Sequence, residues 1–424
     1  MKIWHIVPAL VSLVITLPIP ASGQTTPGEP AQPAVAPEAT QPAVAPEAAQ
    51  PAVAPEPAQP AVAPEPGIRV AYDKGLSLRS GDDQFSLTLG VRSQLRAELL
   101  RTEAADEIQA RFLIPRLRAQ LEGHALGPDN TYKIELELAG AGTPALKDYF
   151  VDHAFSPALR LRVGQWKRPF NRQELVSDFA SEFLERSITN AFFGAGRDFG
   201  IAVHNGYEKS PDGIEWALGV FNGTGDRARQ TLDCDDVTDI TTCTPTPPSN
   251  VPGDFGPMIV ARVGWNQGGI KGYAEGDLEG GPLRLAVGAS YKADLRDLDE
   301  DAAGDLQIQH AAEADFMVKI QGYDLSGALL MAKAGSADPL LGVYGQAGAF
   351  LLPRQLQVAA RLGWHQVDTD MDVNRMEALG AISWYFAGHS YKWMADAGIV
   401  QTMTGGGVAD TTDFQARTQL QFLF

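Results

Sequence analysis

From about residue 67 to the end, apolar and polar side chains alternate with a period of two. Nowhere in that stretch do about twenty apolar residues run together. Across residues 85–99, Leu87, Leu89, Val91, Leu95 and Leu99 fall on one side, and Thr88, Arg92, Gln94, Arg96 and Glu98 on the other. Across 112–122, Leu113, Leu117, Ala119 and Leu121 oppose Arg116, Arg118, Gln120 and Glu122. Tyr132, Ile134, Leu136 and Leu138 turn away from Lys133, Glu135 and Glu137. Strands so patterned have one oily face and one that requires water or partners. Helical periodicity is scarce.

The same alternation marks 148–155, 159–166, 198–205, 214–221, 258–265, 283–292, 308–320, 323–332, 341–350, 356–365, 376–386, 391–401 and 413–424, for a tally of sixteen strands. An even number returns both ends of a closed barrel to one side. With the N-terminal side taken as periplasmic, the long connections 167–197, 222–257 and 293–307 fall outside, and the short ones 156–158, 321–322 and 351–355 inside. The connection 266–282 is long yet falls on the periplasmic side. It is read as a turn, with eighteen strands as the alternative count if a strand forms near 270–276. In hydrocarbon every backbone donor and acceptor must be paired within the protein, which only helices and edgeless barrels achieve. The expected fold is therefore all-β: a transmembrane antiparallel β-barrel, its oily faces against outer-membrane lipid and its polar faces lining water. Trp265, Tyr323, Trp364, Trp384, Tyr391 and Trp393 lie near strand ends, where interfacial girdles form. In the last strand Phe414, Thr418, Leu420, Phe422 and Phe424 alternate with Gln415, Arg417, Gln419 and Gln421. Closure on Phe424 resembles the assembly signal of bacterial outer-membrane barrels and implies the barrel assembly machinery as a partner.

Residues 1–23 carry Lys2, an apolar run over 6–19 and Ala21-Ser22-Gly23, the pattern of a secretory signal peptide. Pro8, Pro18 and Pro20 argue against a retained helix. Starting at Gln32, QPAVAPE plus two residues repeats four times with a period of nine. Proline at that density favours extended polyproline II. At roughly 3 Å per residue the segment reaches on the order of 100 Å, which suits either a tether in the periplasm or a tolerated spacer. The expected order is signal peptide 1–23, Pro/Ala-rich periplasmic linker 24–66 and barrel 67–424. A net charge of −18 with no polybasic run excludes general affinity for nucleic acid. The two cysteines, Cys234 and Cys243, lie nine apart in a loop rich in Asp, Thr and Pro. Once exported they are expected to pair as a disulfide; a metal site would need more ligands, and no His lies between them.

The segment 148–206 stands apart. It reads DYFVDHAFSPALRLRVGQWKRPFN, with Ser156-Pro157-Ala158 as a hairpin turn. About thirty residues follow that mix Lys167, Arg168, Arg172, Arg186 and Arg197 with Trp166, Phe170, Phe179, Phe183, Phe192 and Phe193. The run VDHAFSPALRLRVGQWKRPFNRQE, then FLERSI, then GRDFGIAVHNG, resembles the phosphate-selective porin O and P family of Gram-negative outer membranes. The resemblance implies that the long segment folds into the barrel and narrows the pore, that three copies assemble into a homotrimer, and that phosphate or another small anion is the solute.

In such a barrel Arg92, Arg96, Arg116, Arg118, Arg160 and Arg162 face the lumen, as do Arg284, Lys292, Arg361 and Arg417, and the inward segment adds Lys167, Arg168, Arg172, Arg186 and Arg197. Passage of an oxyanion needs a series of cations, each attractive enough to enter and weak enough to leave, and arginine's planar fork can hold two oxygens. The alternative for any one arginine is that it pairs with Glu98, Glu122, Asp148 or Asp152 and braces the wall. The segment's own Glu174, Asp178, Glu182 and Glu185 nearly balance its five bases. No His pair has HxxxH spacing, GxSxG is absent, and Gly405-Gly406-Gly407 precedes no helix. No enzyme, metal or cofactor is expected, a hydrolase built from scattered Ser and His being the remaining alternative. The expected function is passive diffusion of small anions across the outer membrane. A general porin of low selectivity and a structural, envelope-tethering barrel are the alternatives.

Overall fold

A computed structural model describes residues 67–72, 75–139, 144–194, 196–223, 225, 256–295, 309–369 and 371–424, together with the backbone of 232–234 and 243–245. The expected signal peptide and linker lie outside the described residues.

Twenty strands are described. A hairpin, β1 (Ile68–Tyr72) and β2 (Leu76–Ser80), precedes β3 (Phe85–Thr102), β4 (Glu107–Ala125), β5 (Asn130–Glu137), β6 (Ala145–Ser156) and β7 (Leu159–Lys167). Then come β8 (Arg197–His204), β9 (Gly213–Phe221), the short ribbon β10 (Leu232–Cys234) and β11 (Cys243–Pro245), β12 (Met258–Gln267), β13 (Arg284–Asp294), β14 (Gln309–Ile320) and β15 (Tyr323–Ala334). The last five are β16 (Leu340–Leu352), β17 (Leu356–Asp368), β18 (Val373–Ala387), β19 (Tyr391–Thr404) and β20 (Thr411–Leu423).

Strands β3–β9 and β12–β20 pair antiparallel in sequence order, with β9 beside β12, and β20 returns to β3 from Phe414↔Arg101 to Leu423↔Arg92. The ring is closed by sixteen strands, and Phe424 exchanges both backbone hydrogen bonds with Val91, at 2.6 and 2.9 Å. Every one of these strands lies where the alternation puts one. The two further strands are not at 270–276, which forms a turn, but at the hairpin β1/β2. Strand β2 pairs with the lower part of β3, from Leu76↔Leu89 to Arg79↔Ser86, and so continues the wall beneath the end of β20. Each has five residues, too few for alternation to stand out from a loop.

Local chemistry fixes the register. Gln321 and Gly322, both at positive φ (50° and 87°), link β14 to β15 as a two-residue turn suited to the strand twist. In β4 the pairing with β3 shifts between Gln94 and Arg96, opposite Pro115, which has no N–H to give to a ladder. Around the ring, Phe155, Trp265, Tyr323, Leu329 and Phe386 are exposed on the outer face, as an oily surface in lipid requires. Cys234 stands opposite Cys243 in the register of the ribbon, while their side chains, and with them the expected disulfide, lie outside what is described.

Two segments fill part of the interior. Between β7 and β8 the chain forms one helical turn, Arg172–Leu175, capped by Asn171, and a short helix, Ile188–Phe193, capped by Ser187. Phe170, Phe179, Phe183 and Phe193 of this stretch are 0–3% exposed, and each ring removed from water contributes about 2–3 kcal/mol. Between β12 and β13, residues 268–283 rise to meet it: Glu275 N donates to Ala180 O at 2.8 Å, and Glu182 N to a Glu275 carboxylate oxygen at 2.8 Å. A turn was expected at 266–282. Its inward course was not, because its anchors, the Tyr273 hydroxyl on Glu215 at 2.6 Å and the carbonyls that receive Lys319 Nζ, involve residues remote in sequence.

Candidate functional site

The segment between β7 and β8 lies against the far wall. Thr189 Oγ1 donates to the Val343 and Trp364 carbonyls, Arg361 donates to Glu185 O at 2.9 Å, and Lys392 donates to Ser181 O at 2.7 Å. Toward the near wall, Asp178 accepts Arg118 at 2.8 Å, and the Phe179 ring lies under the guanidiniums of Arg92 and Arg118. Between the segment and β3–β8 an open cavity of about 580 Å³ remains. Eight basic and five acidic side chains line it, with the faces of Tyr132, Phe150 and Trp166 between them.

These charges are layered. Lys133 meets Asp148 at 2.6 Å, and its side chain is 21% exposed against 7% for the acid. Arg160 meets Asp152 at 2.8 Å, 19% against 2%, and Arg92 meets Glu135 at 3.6 Å, 26% against 1%. In these three pairs the carboxylate sits in the wall and the cation stands over it toward water; Arg162 and Glu208 are the reverse, 6% against 41%. Alternation places both signs on the polar face of β5–β7, and the longer Lys and Arg stems carry the positive ends further out.

Of the residues expected to face the pore, Arg92, Arg118, Arg160, Arg162, Lys167 and Arg197 line this cavity. Arg162 is held by Asp152 and Glu208, each at 2.9 Å, and its guanidinium lies 4.2 Å from the Phe150 ring centre. Arg197 is held by Asp148 at 2.7 Å, and Lys167 Nζ donates to the Glu174 and Val176 carbonyls. The others stand elsewhere. Arg96 and Arg116 grip Glu185, each at 2.7 Å; Arg186 grips Asp178 at 2.7 Å; Arg168 pairs with Asp198 at 3.3 Å. Arg172, 1% exposed, binds Asp315 on the far wall. These five brace the inward segment. Lys133 and Lys209 join the cavity lining unannounced. Lys133 was legible on the polar face of its strand, whereas Lys209, in a turn after β8, gave no periodic signal.

The segment's acids respond to these partners. Burial alone would raise the Asp178 carboxyl, but Arg186, Arg116 and Arg118 outweigh it and hold it well below the usual carboxylate range. Glu185 is lowered against its burial by Arg116 and Arg96, and Glu208 by Arg162. Glu182 goes the other way: burial, then Asp324 and Glu275 beside it, push its carboxyl well above the usual range.

A closed sixteen-strand antiparallel barrel with a charged interior and an oily exterior defines the class: a barrel of the outer-membrane porin fold. Residues 87–237 match the family model of phosphate-selective porin O and P, so the resemblance seen in 148–206 holds across that span. Among solved structures, the anion-selective porin from Comamonas acidovorans is 13% identical, over 80% of this chain and 100% of its own, with a TM-score of 0.53. The outer membrane channel DcaP of Acinetobacter baumannii is 12% identical, over 80% and 97%, with a TM-score of 0.52. Pseudomonas putida OprB is 12% identical, over 81% and 95%, with a TM-score of 0.51. At these identities the likeness is one of fold. No curated protein matches the sequence.

Proposed function

We propose that this barrel is a channel for passive diffusion of small anions, phosphate or related oxyanions, across the outer membrane, through a pore narrowed by the arginine-bearing segment 167–197. The observation that carries this reading is the layering of three ion pairs in the cavity: Arg92, Lys133 and Arg160 toward water, their carboxylates behind them. An anion entering such a space meets guanidinium and ammonium groups first, each already partly neutralised, which is the condition for entry without capture. The pairing of Arg92, Lys133, Arg160, Arg162 and Arg197 with carboxylates is what favours the second reading, a general porin of low selectivity. A homotrimer in outer-membrane lipid, inserted by the barrel assembly machinery through the strand ending at Phe424, completes the proposal. In it residues 1–23 are removed on export, and 24–66 extend into the periplasm.

The test is the zero-current potential of the refolded protein in a planar bilayer under a KCl gradient, repeated with phosphate. A potential of the sign set by chloride, with current reduced by phosphate, is expected. A potential near zero would favour the general porin, and one set by potassium would overturn the anion reading.

A further inference from the structure

One carboxylate in the cavity wall has more cations than any ordinary ion pair supplies. Glu135, on β5 with its side chain 1% exposed, lies 3.6 Å from Arg92, 3.4 Å from Arg118, 3.5 Å from Lys133 and 3.3 Å from Arg197. The four bases come from β3, β4, β5 and β8, so strands far apart in sequence converge on one pair of oxygens. Lys133 and Arg197 share Asp148 as well, and Arg118 also has Glu137 and Asp178. For Arg92, Glu135 is the acid within ion-pair distance among the described residues. Arg92 and Lys133 are also the members of the group that reach the cavity water.

We infer that Glu135 is a tethered counter-anion: it occupies, from within the wall, the charge position that a passing oxyanion would otherwise fill, and thereby keeps this cluster of four bases a place of passage and not a trap. The inference rests on the anion-channel reading and deepens it by naming a residue that sets affinity. The physics is that of exchange. A cluster of closely spaced cations without its counter-charge is costly to bury, so it recruits an anion from solution. With a carboxylate built in, an incoming anion gains only the difference between its own contacts and those it loosens, and it leaves as readily as it enters. Glu135→Gln keeps the shape and removes the charge, freeing Arg92 and unbalancing the cluster by one positive charge. The loss of one unit charge at about 4–5 Å, at the effective dielectric of such sites, is worth more than a factor of ten in anion affinity.

The experiment is a phosphate titration of single-channel chloride current for the full-length protein, the Glu135→Gln variant and a control, Glu107→Gln. Glu107 lies at the exposed top of β4, away from the cavity. The half-blocking phosphate concentration is expected to fall at least about tenfold in Glu135→Gln and to stay at the parent value in Glu107→Gln. The thermal midpoint of folded Glu135→Gln in detergent should also rise with added phosphate by more than the parent's does. If Glu135→Gln does not fold, Asp148→Asn, which removes the neighbouring carboxylate between Lys133 and Arg197, is read in the same way. A variant that folds, keeps chloride preference and shows unchanged phosphate block overturns the inference while leaving the channel reading intact. Cation preference in the parent protein overturns both.

Discussion

The Arg172 guanidinium donates through Nε to Asp315 at 2.5 Å and through Nη1 to Gly272 O at 2.9 Å, and it lies 5.1 Å from the Tyr273 ring centre. Its backbone N–H donates to Glu313 at 3.2 Å, and Glu215 lies 3.7 Å from Nη2. One side chain thus joins the inward segment, the 268–283 turn and the far wall. Replacing it with methionine leaves Asp315 to Arg262 alone and strands buried carboxylate, a loss of about 3–5 kcal/mol. Arg172→Met should therefore lower the thermal midpoint of the folded barrel in detergent and raise open-channel noise; an unchanged midpoint would show that the joint is dispensable. This role was hidden in the sequence. Alternation places Arg92, Arg96, Arg116 and Arg118 on the lumen side, and the parity of a strand is a local property. Which arginine stays in water and which is consumed by an acid depends on partners such as Asp315, 143 residues from Arg172, and no periodicity records them.

Among the elements, the inward segment is held by carboxyls of two opposed kinds. Asp178 and Glu185 lie below their usual range despite burial, because arginines of β3 and β4 and Arg186 surround them. A carboxyl of this kind stabilises the fold above its unfolded value, about 4, and that contribution is lost as pH falls through the lower folded value. Glu182 is raised by burial and by Asp324 and Glu275. Its contribution is complete below the unfolded value and lost as pH rises through the raised one. Asp324 and Glu275 lie beside the Glu182 carboxyl, and Glu182 N binds Glu275, so ionising Glu182 adds a like charge at the point where the two inward segments meet. Open-channel current noise is expected to rise as pH falls through the lowered carboxyls and again as pH rises through the raised Glu182. In Glu182→Gln, whose amide stays neutral, the rise at higher pH should vanish and the acidic one remain. Persistence of the rise at higher pH would place its origin elsewhere. The sequence named the segment by its aromatics and bases. It could not pair 167–197 with 268–283, because the contacts are backbone carbonyls and single carboxylates with no pattern of their own.

For the whole molecule, the wall is uneven in height. Strand β4 has nineteen residues and its neighbour β5 has eight, and they pair only from Arg118↔Glu137 to His124↔Thr131. Residues 107–116 of β4 therefore have a strand on one side only among the described residues, while Ile108, Phe112 and Ile114 are 68%, 90% and 50% exposed. Ten residues of tilted strand rise roughly 25 Å, as tall as the apolar band of an outer-membrane barrel at about 25 Å. In the proposed membrane-inserted barrel, the exposed Ile108, Phe112 and Ile114 set part of this edge at membrane depth. Lipid cannot satisfy its N–H and C=O groups, at several kcal/mol for each one left unpaired. A protein surface can, and in the proposed homotrimer it is that of a neighbouring copy. Phe112→Asp is then expected to lower the fraction of chemically cross-linked trimer in detergent. It should leave the zero-current potential at its parent value, since Phe112 points away from the cavity that sets the charge of the path. Undiminished cross-linking would assign this edge to another cover, and a changed potential with intact trimers would mean that the upper hairpin, not the buried cluster around Glu135, governs which ions pass.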